Sequence, residues 1–174
     1  MRRLKVLLFL FITGVMTVGC NPQSKSDNYE TVKFNGLKVS IPKEWTQTPI
    51  QNSENEISYR LDVGKDKYGF FYIYAYPYPR NVYKSKFIDW EKNTYKGVFA
   101  LSEETKLKKN MTVLTYKTDF NVLKNASLPD QVVQIIVIDD LDRVLEVSID
   151  MPRDYYEQNS PILKHIQNSL TFSK

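Results

Sequence analysis

Several groups of residues in this 174-residue chain have types and spacings that could do chemistry. Cys20 is the only cysteine, so an internal disulfide is excluded. His165 is the only histidine. A general base needs a nucleophile within hydrogen-bond reach and a third group to orient it. No serine stands in a Gly-x-Ser-x-Gly elbow, and His165 adjoins the apolar Ile166, so a flanking or exposed helical place is expected for it. Asp139, Asp140 and Asp142 gather at a hairpin tip, where carboxylate oxygens could hold a hard cation. Their spacing matches no calcium loop, and aspartate is a good turn residue. Tyr68, Phe70, Tyr72, Tyr74, Tyr76 and Tyr78 occupy alternate positions, which is one face of a strand. A row Tyr72–Tyr78 of stacked rings could hold a sugar or a proline-rich peptide. Packing between a sheet and a helix is the plainer expectation. Exposure is expected at the outer end, and Tyr76, Tyr78, Arg80 and Tyr83 form the candidate partner-contact patch. No phosphate-cradling glycine loop is present, and no catalytic residue, metal or cofactor is expected.

Cys20 acquires a different meaning from the residues ahead of it. Arg2, Arg3 and Lys5 precede an apolar run from Val6 to Val18, closed by Gly19. A basic start, a short apolar core and a small residue at the cut describe a secretory signal peptide. The run falls short of the about 20 residues that a membrane span needs. Thr17-Val18-Gly19-Cys20 resembles the lipobox of bacterial lipoproteins, with Thr17 where leucine is usual. That resemblance implies that Cys20 is lipidated, with palmitate expected, and becomes the first residue of the mature chain. It also implies anchoring to a membrane on the exported side of the bacterial cell envelope. Lipidation would remove the only thiol from the possible nucleophiles.

The same leader accounts for most of the net charge. The chain carries 24 basic and 20 acidic residues, a formal +4. Loss of Arg2, Arg3 and Lys5 leaves 21 basic against 20 acidic groups, a net +1. Nucleic acid is not an expected partner, because its footprint requires a concentrated basic face. The basic residues Arg80, Lys84, Lys86, Lys106, Lys108 and Lys109 could face anionic lipid head groups, with an ordinary solvated face the plainer expectation. Removing 19 residues from 174 leaves 155, enough for one domain with its own core.

The elements that must position these residues read as follows. Residues 1–19 form the signal peptide, 20–29 a polar tether and 30–174 one domain. Thr31–Phe34 and Leu37–Ile41 alternate apolar and polar residues around Asn35-Gly36, the strongest short hairpin signal. Pro42 ends the second strand and Trp45 packs over the sheet end; 47–55 reads as polar loop. Strands follow at Glu56–Val63 and Tyr68–Tyr78. Phe87, Trp90, Tyr95, Val98 and Leu101 make an amphipathic face, which predicts a helix from Ser85 to about Leu101. Two hairpins come next: Thr105–Lys108 with Met111–Phe120, and Gln131–Asp139 with Arg143–Asp150. Ser160 and Pro161 open a last helix, after which Leu170 and Phe172 dock on the sheet. Four strands, a helix, four strands and a helix give an α+β fold: an antiparallel sheet flanked by helices.

This order resembles the PsbP-like fold, shared by photosystem extrinsic proteins, a Ran-binding eukaryotic protein and bacterial lipoproteins of the DcrB type. The resemblance rests on Phe34 through Pro42 with Trp45, and on the hairpin around Lys109-Asn110. It also rests on Val144–Ile149 followed by Pro152, and on Ile162 through Phe172. It implies an α/β/α sandwich and a binding role, with no shared catalytic residue. The expectation is therefore a lipid-anchored binding or accessory protein that docks a protein partner. A glycan-binding module using the tyrosine row, or an envelope hydrolase with a carboxylate site, are the alternatives.

Overall fold

The computed structural model describes residues 28–65, 67–76, 92–93, 97–120, 129–139 and 143–172. The signal peptide, Cys20, most of the tether, Tyr78, Arg80, Tyr83, Asp140, Asp142 and most of the predicted 85–101 helix lie outside these residues.

The described chain is built mostly of antiparallel strands. A first hairpin pairs β1 (Tyr29–Phe34) with β2 (Leu37–Pro42). Asn35 and Gly36 both have positive φ, 50° and 80°, as a two-residue hairpin requires. A 3-10 turn over Lys43–Thr46 then buries Trp45. The succeeding strands are β3 (Pro49–Asn52), β4 (Glu56–Asp62), β5 (Tyr68–Tyr76), β6 (Phe99–Lys108), β7 (Met111–Thr118), β8 (Gln131–Asp139) and β9 (Val144–Pro152). Helices α1 (Arg153–Gln158) and α2 (Ser160–Ser169) follow, and β10 (Thr171–Phe172) closes the fold. The strands form two sheets. One has the order β1-β2-β10, the other β3-β4-β5-β9-β8-β7-β6, and every described pairing is antiparallel.

The two sheets share a core. Leu37, Val39, Ile41 and Trp45 meet Leu61, Phe71, Ile73, Leu145, Val147 and Ile149 of the large sheet, with Leu163 and Ile166 of α2. On the other face of the large sheet, Leu114, Tyr116, Val133, Ile135, Val137 and Val144 form a second cluster. Strands β8 and β9 are therefore apolar on both sides, as strands covered on both faces are. Arg143 ties the sheets at one end. Its guanidinium donates to the Asn35 carbonyl, and to Asn35 Oδ1 at 3.3 Å.

Several elements differ from the sequence reading. The 47–55 segment contains β3, whose four residues are all exposed; an edge strand need not alternate. The predicted helix does not reach Leu101. Gly97 has φ 96°, which breaks a right-handed helix, and Phe99–Leu101 pair with β7. Val98 and Leu101 are exposed rather than on a buried helical face. Helix α1 was not expected after Pro152. The N-cap of α2 is Asn159, with Ser160 inside the helix. Strand β1 begins at Tyr29, within the span assigned to the tether. The described structure is thus β-rich with few helices, and no described helix is long and apolar enough to cross a membrane.

Candidate functional site

Strand β5 carries the aromatic row and lies inside the large sheet, between β4 and β9. Its odd positions Gly69, Phe71, Ile73 and Ala75 are buried in the main core. Its even positions face the other way and grade from exposed to half-buried along the strand. Tyr68 is 47% exposed and Phe70 38%, whereas Tyr72, Tyr74 and Tyr76 are half-buried. Among the described residues the row is therefore most exposed at Tyr68 and Phe70. Gly69 makes this end possible. A Cβ there would lie 2.7 Å from the Asp150 carbonyl oxygen and 3.2 Å from Met151 Cβ, so only glycine lets β5 and β9 approach this closely.

Around Tyr68 and Phe70 lies a concavity of about 620 Å³. Pro129 and Pro152 give it further apolar wall, and Lys67, Asp130, Arg153 and Asp154 charge its rim. Lys67 Nζ meets Asp154 Oδ2 at 2.5 Å, and Arg153 Nη2 meets Asp130 Oδ1 at 2.9 Å. The hydrogen bond from Lys67 holds the Asp154 carboxyl below the usual range. Arg60 on β4 lies with its guanidinium carbon 4.9 Å from the Tyr68 ring centroid, a cation–π contact. Across the sheet, Arg60, Phe70 and Asp150 stand in one register row. Asp150 Oδ1 is buried and, among the described residues, unbonded, and burial pushes its carboxyl up to about 6.

At the other end of the row, Tyr76 donates its hydroxyl to Glu146 Oε2 at 2.8 Å. Glu146 is 4% exposed. Burial raises its pKa and the Tyr76 hydrogen bond opposes that rise. The rings of Tyr74 and Tyr76 lie 4.6 Å apart, inclined at 58°. A flat sugar-stacking platform needs coplanar rings, and this pair does not make one. Tyr76 is thus partly committed inside the protein; the other members of the expected patch, Tyr78, Arg80 and Tyr83, lie outside the described residues.

The carboxylates and the histidine occupy separate places. Glu146 and Asp150 share a face of β9 four residues apart, about 13 Å along a strand. Paired carboxylates of glycoside hydrolysis stand about 5–9.5 Å apart. His165 Nε2 lies 3.0 Å from Ser40 Oγ, and its ring stacks on Tyr29 at 3.9 Å. This serine is on β2, not in a nucleophile elbow, and sequence spacing gave no sign of it. Among the described residues no carboxylate orients the imidazole. Ser169 Oγ accepts from the Ser40 amide at 2.9 Å, so the group fastens α2 to β2. Asp139 is buried, and its amide donates to the Asn110 carbonyl at 2.9 Å. Among the described residues no group of three metal-ligating side chains occurs.

No protein-family model and no curated protein sequence matches the chain. Solved structures do resemble it. The solution structure of cyanobacterial PsbP (CyanoP) from Synechocystis matches with a TM-score of 0.56 at 8% identity, covering 84% of this chain and 93% of that one. A point mutant of the protein Mog1 matches with a TM-score of 0.53 at 10% identity, covering 83% and 96%. The protein PA94 of unknown function from Pseudomonas aeruginosa matches with a TM-score of 0.50 at 12% identity, covering 84% and 99%. At such identities the likeness is one of fold alone.

Proposed function

We propose that this PsbP-like chain is a non-enzymatic accessory protein of the bacterial cell envelope, lipid-anchored through Cys20, that docks a protein partner. The docking surface is the Tyr68–Phe70 end of β5. One observation carries this reading: two large aromatic side chains stand exposed at the mouth of a concavity whose rim is charged. Aromatic centres with polar rims are the anatomy of binding surfaces. The leader and its lipobox support the anchor. In the finer form of the proposal the chain is a lipoprotein of the DcrB type with an α/β/α sandwich fold. Tyr76, with Tyr78, Arg80 and Tyr83, is the secondary contact patch, and glycan binding at the Tyr72–Tyr78 row is the alternative.

The test is purification of the full-length protein from membranes in gentle detergent, as wild type and as Phe70→Ala and Tyr68→Ala. A partner recovered with wild type and depleted with both variants supports the proposal. Measurable turnover of an envelope substrate without any recovered partner would sink it.

A further inference from the structure

We infer that the Phe70–Asp150 row is a receptor for a basic side chain, arginine or lysine, presented by the docking partner. The inference rests on the protein-docking reading and names the chemistry of its occupant. Four carboxylates stand around Tyr68 and Phe70: Asp62, opposite Tyr68 on β4 and accepting from the Gly64 amide at 3.4 Å, Asp130, Asp154 and Asp150. Asp130 and Asp154 each already hold a cation, Arg153 and Lys67. Asp150 has none: among the described residues it has no hydrogen-bond or ionic partner, and its Oδ1 is buried. The remaining cation of the row, Arg60, lies on the Tyr68 ring, and Phe70 stands between it and Asp150 in the register. A largely desolvated, unpaired carboxylate opposes folding, and such groups concentrate where a protein binds or reacts.

The neighbours of Asp150 fit a cation from outside. Phe70 is directly opposite on β5, so its Cβ and that of Asp150 are about 5 Å apart. Asp150 stands beside the concavity rather than in its lining, with Oδ1 buried, so a guanidinium laid on the exposed Phe70 ring would meet the carboxylate through Oδ2, combining cation–π contact with a charge-assisted hydrogen bond. Pro129 and Pro152 supply apolar wall for the methylene stem. The charged groups on the surrounding elements are Arg60 and Asp62 on β4, Lys67, Asp130, Arg153, Asp154 and, four residues back on β9, Glu146. Because burial pushes the Asp150 carboxyl up to about 6, a cation binds more tightly as pH rises from 5 to 7.

The experiment is NMR titration of the full-length protein in detergent micelles with N-acetyl-arginine methylamide. The citrulline analogue, equal in shape but uncharged, is the control. At pH 7.5 the arginine probe is expected to shift amide signals of residues 68–70 and 150–153. Citrulline should bind at least tenfold more weakly. Asp150→Asn should weaken the arginine probe at least tenfold and flatten its pH dependence, while Glu44→Gln, in the 3-10 turn away from this concavity, leaves the affinity within twofold. Equal binding of arginine and citrulline, or unchanged binding by Asp150→Asn, overturns the inference. So does a response of these signals to anionic vesicles but not to the arginine probe, which would make the row a membrane contact. Failure here with partner capture still dependent on Phe70 rejects only the cation assignment. Capture independent of Phe70 rejects the docking reading itself.

Discussion

Replacing Asp150 by asparagine should stabilise the protein at neutral pH, and only there. The folded chain pushes this carboxyl from an ordinary 3.8 to about 6 through desolvation. That difference corresponds to about 3 kcal/mol between the two protonation states. The sign follows from the raised folded value. The neutral acid is favoured in the folded state, so its contribution is complete below pH 3.8 and is lost as pH rises through about 6. Above that the wild type carries the full penalty of a desolvated charge that has no partner among the described residues. Asparagine keeps the shape and removes the charge, although its amide still lacks partners. A net gain of about 1–3 kcal/mol is expected at pH 7.5, shrinking towards zero near pH 4. Urea unfolding of both proteins between pH 4 and 8, read by tryptophan fluorescence, measures it. A destabilised Asp150→Asn at pH 7.5, or a difference that does not change with pH, would refute the reasoning.

Other substitutions probe the frame around the site. Gly69→Ala should cost about 1–3 kcal/mol by overpacking, because its Cβ would meet the Asp150 carbonyl oxygen at 2.7 Å; urea unfolding reads this. Trp45 is 2% exposed and packs 6.3 Å from Phe71 between ring centroids, so Trp45→Ala should cost about 3–5 kcal/mol in thermal or urea unfolding. Tyr76→Phe removes the donor to buried Glu146 and should cost about 1.5–3 kcal/mol. Without that bond the Glu146 pKa rises further, so the loss grows as pH rises through its titration; unfolding followed across pH 4 to 9 shows the trend. Cys20→Ala should abolish incorporation of radiolabelled palmitate and release the protein from the membrane fraction.

The parts of the fold that were legible in the sequence are those with strong local signals. Asn35-Gly36 specified a hairpin through positive φ, and the β8 span Gln131–Asp139 is the one read from its apolar run. The 85–101 helix was overextended because spacings of three to five do not show where a strand takes over. The break lies in one backbone angle, at Gly97. Strand β3 was illegible because an exposed edge strand of Pro-Ile-Gln-Asn carries no periodicity. The site followed the same pattern. Alternation placed Tyr68, Phe70, Tyr72, Tyr74 and Tyr76 on one face, but not how exposure grades among them. That depends on long-range neighbours: Glu146 beside Tyr76, and proline-walled space beside Phe70. The burial of Asp150 Oδ1 without a partner among the described residues and the nearness of Ser40 to His165 are likewise tertiary facts. They leave no trace in local sequence.

Photo-crosslinking in intact cells tests the docking claim most directly. A benzophenone amino acid replaces Phe70 in the full-length protein, with Ile50, exposed on the separate edge strand β3, as the control position. The account predicts a discrete protein adduct from position 70, none from position 50, and loss of the position-70 adduct when Tyr68→Ala is added. Adducts of equal yield from both positions, or adducts to lipid alone from position 70, would contradict it.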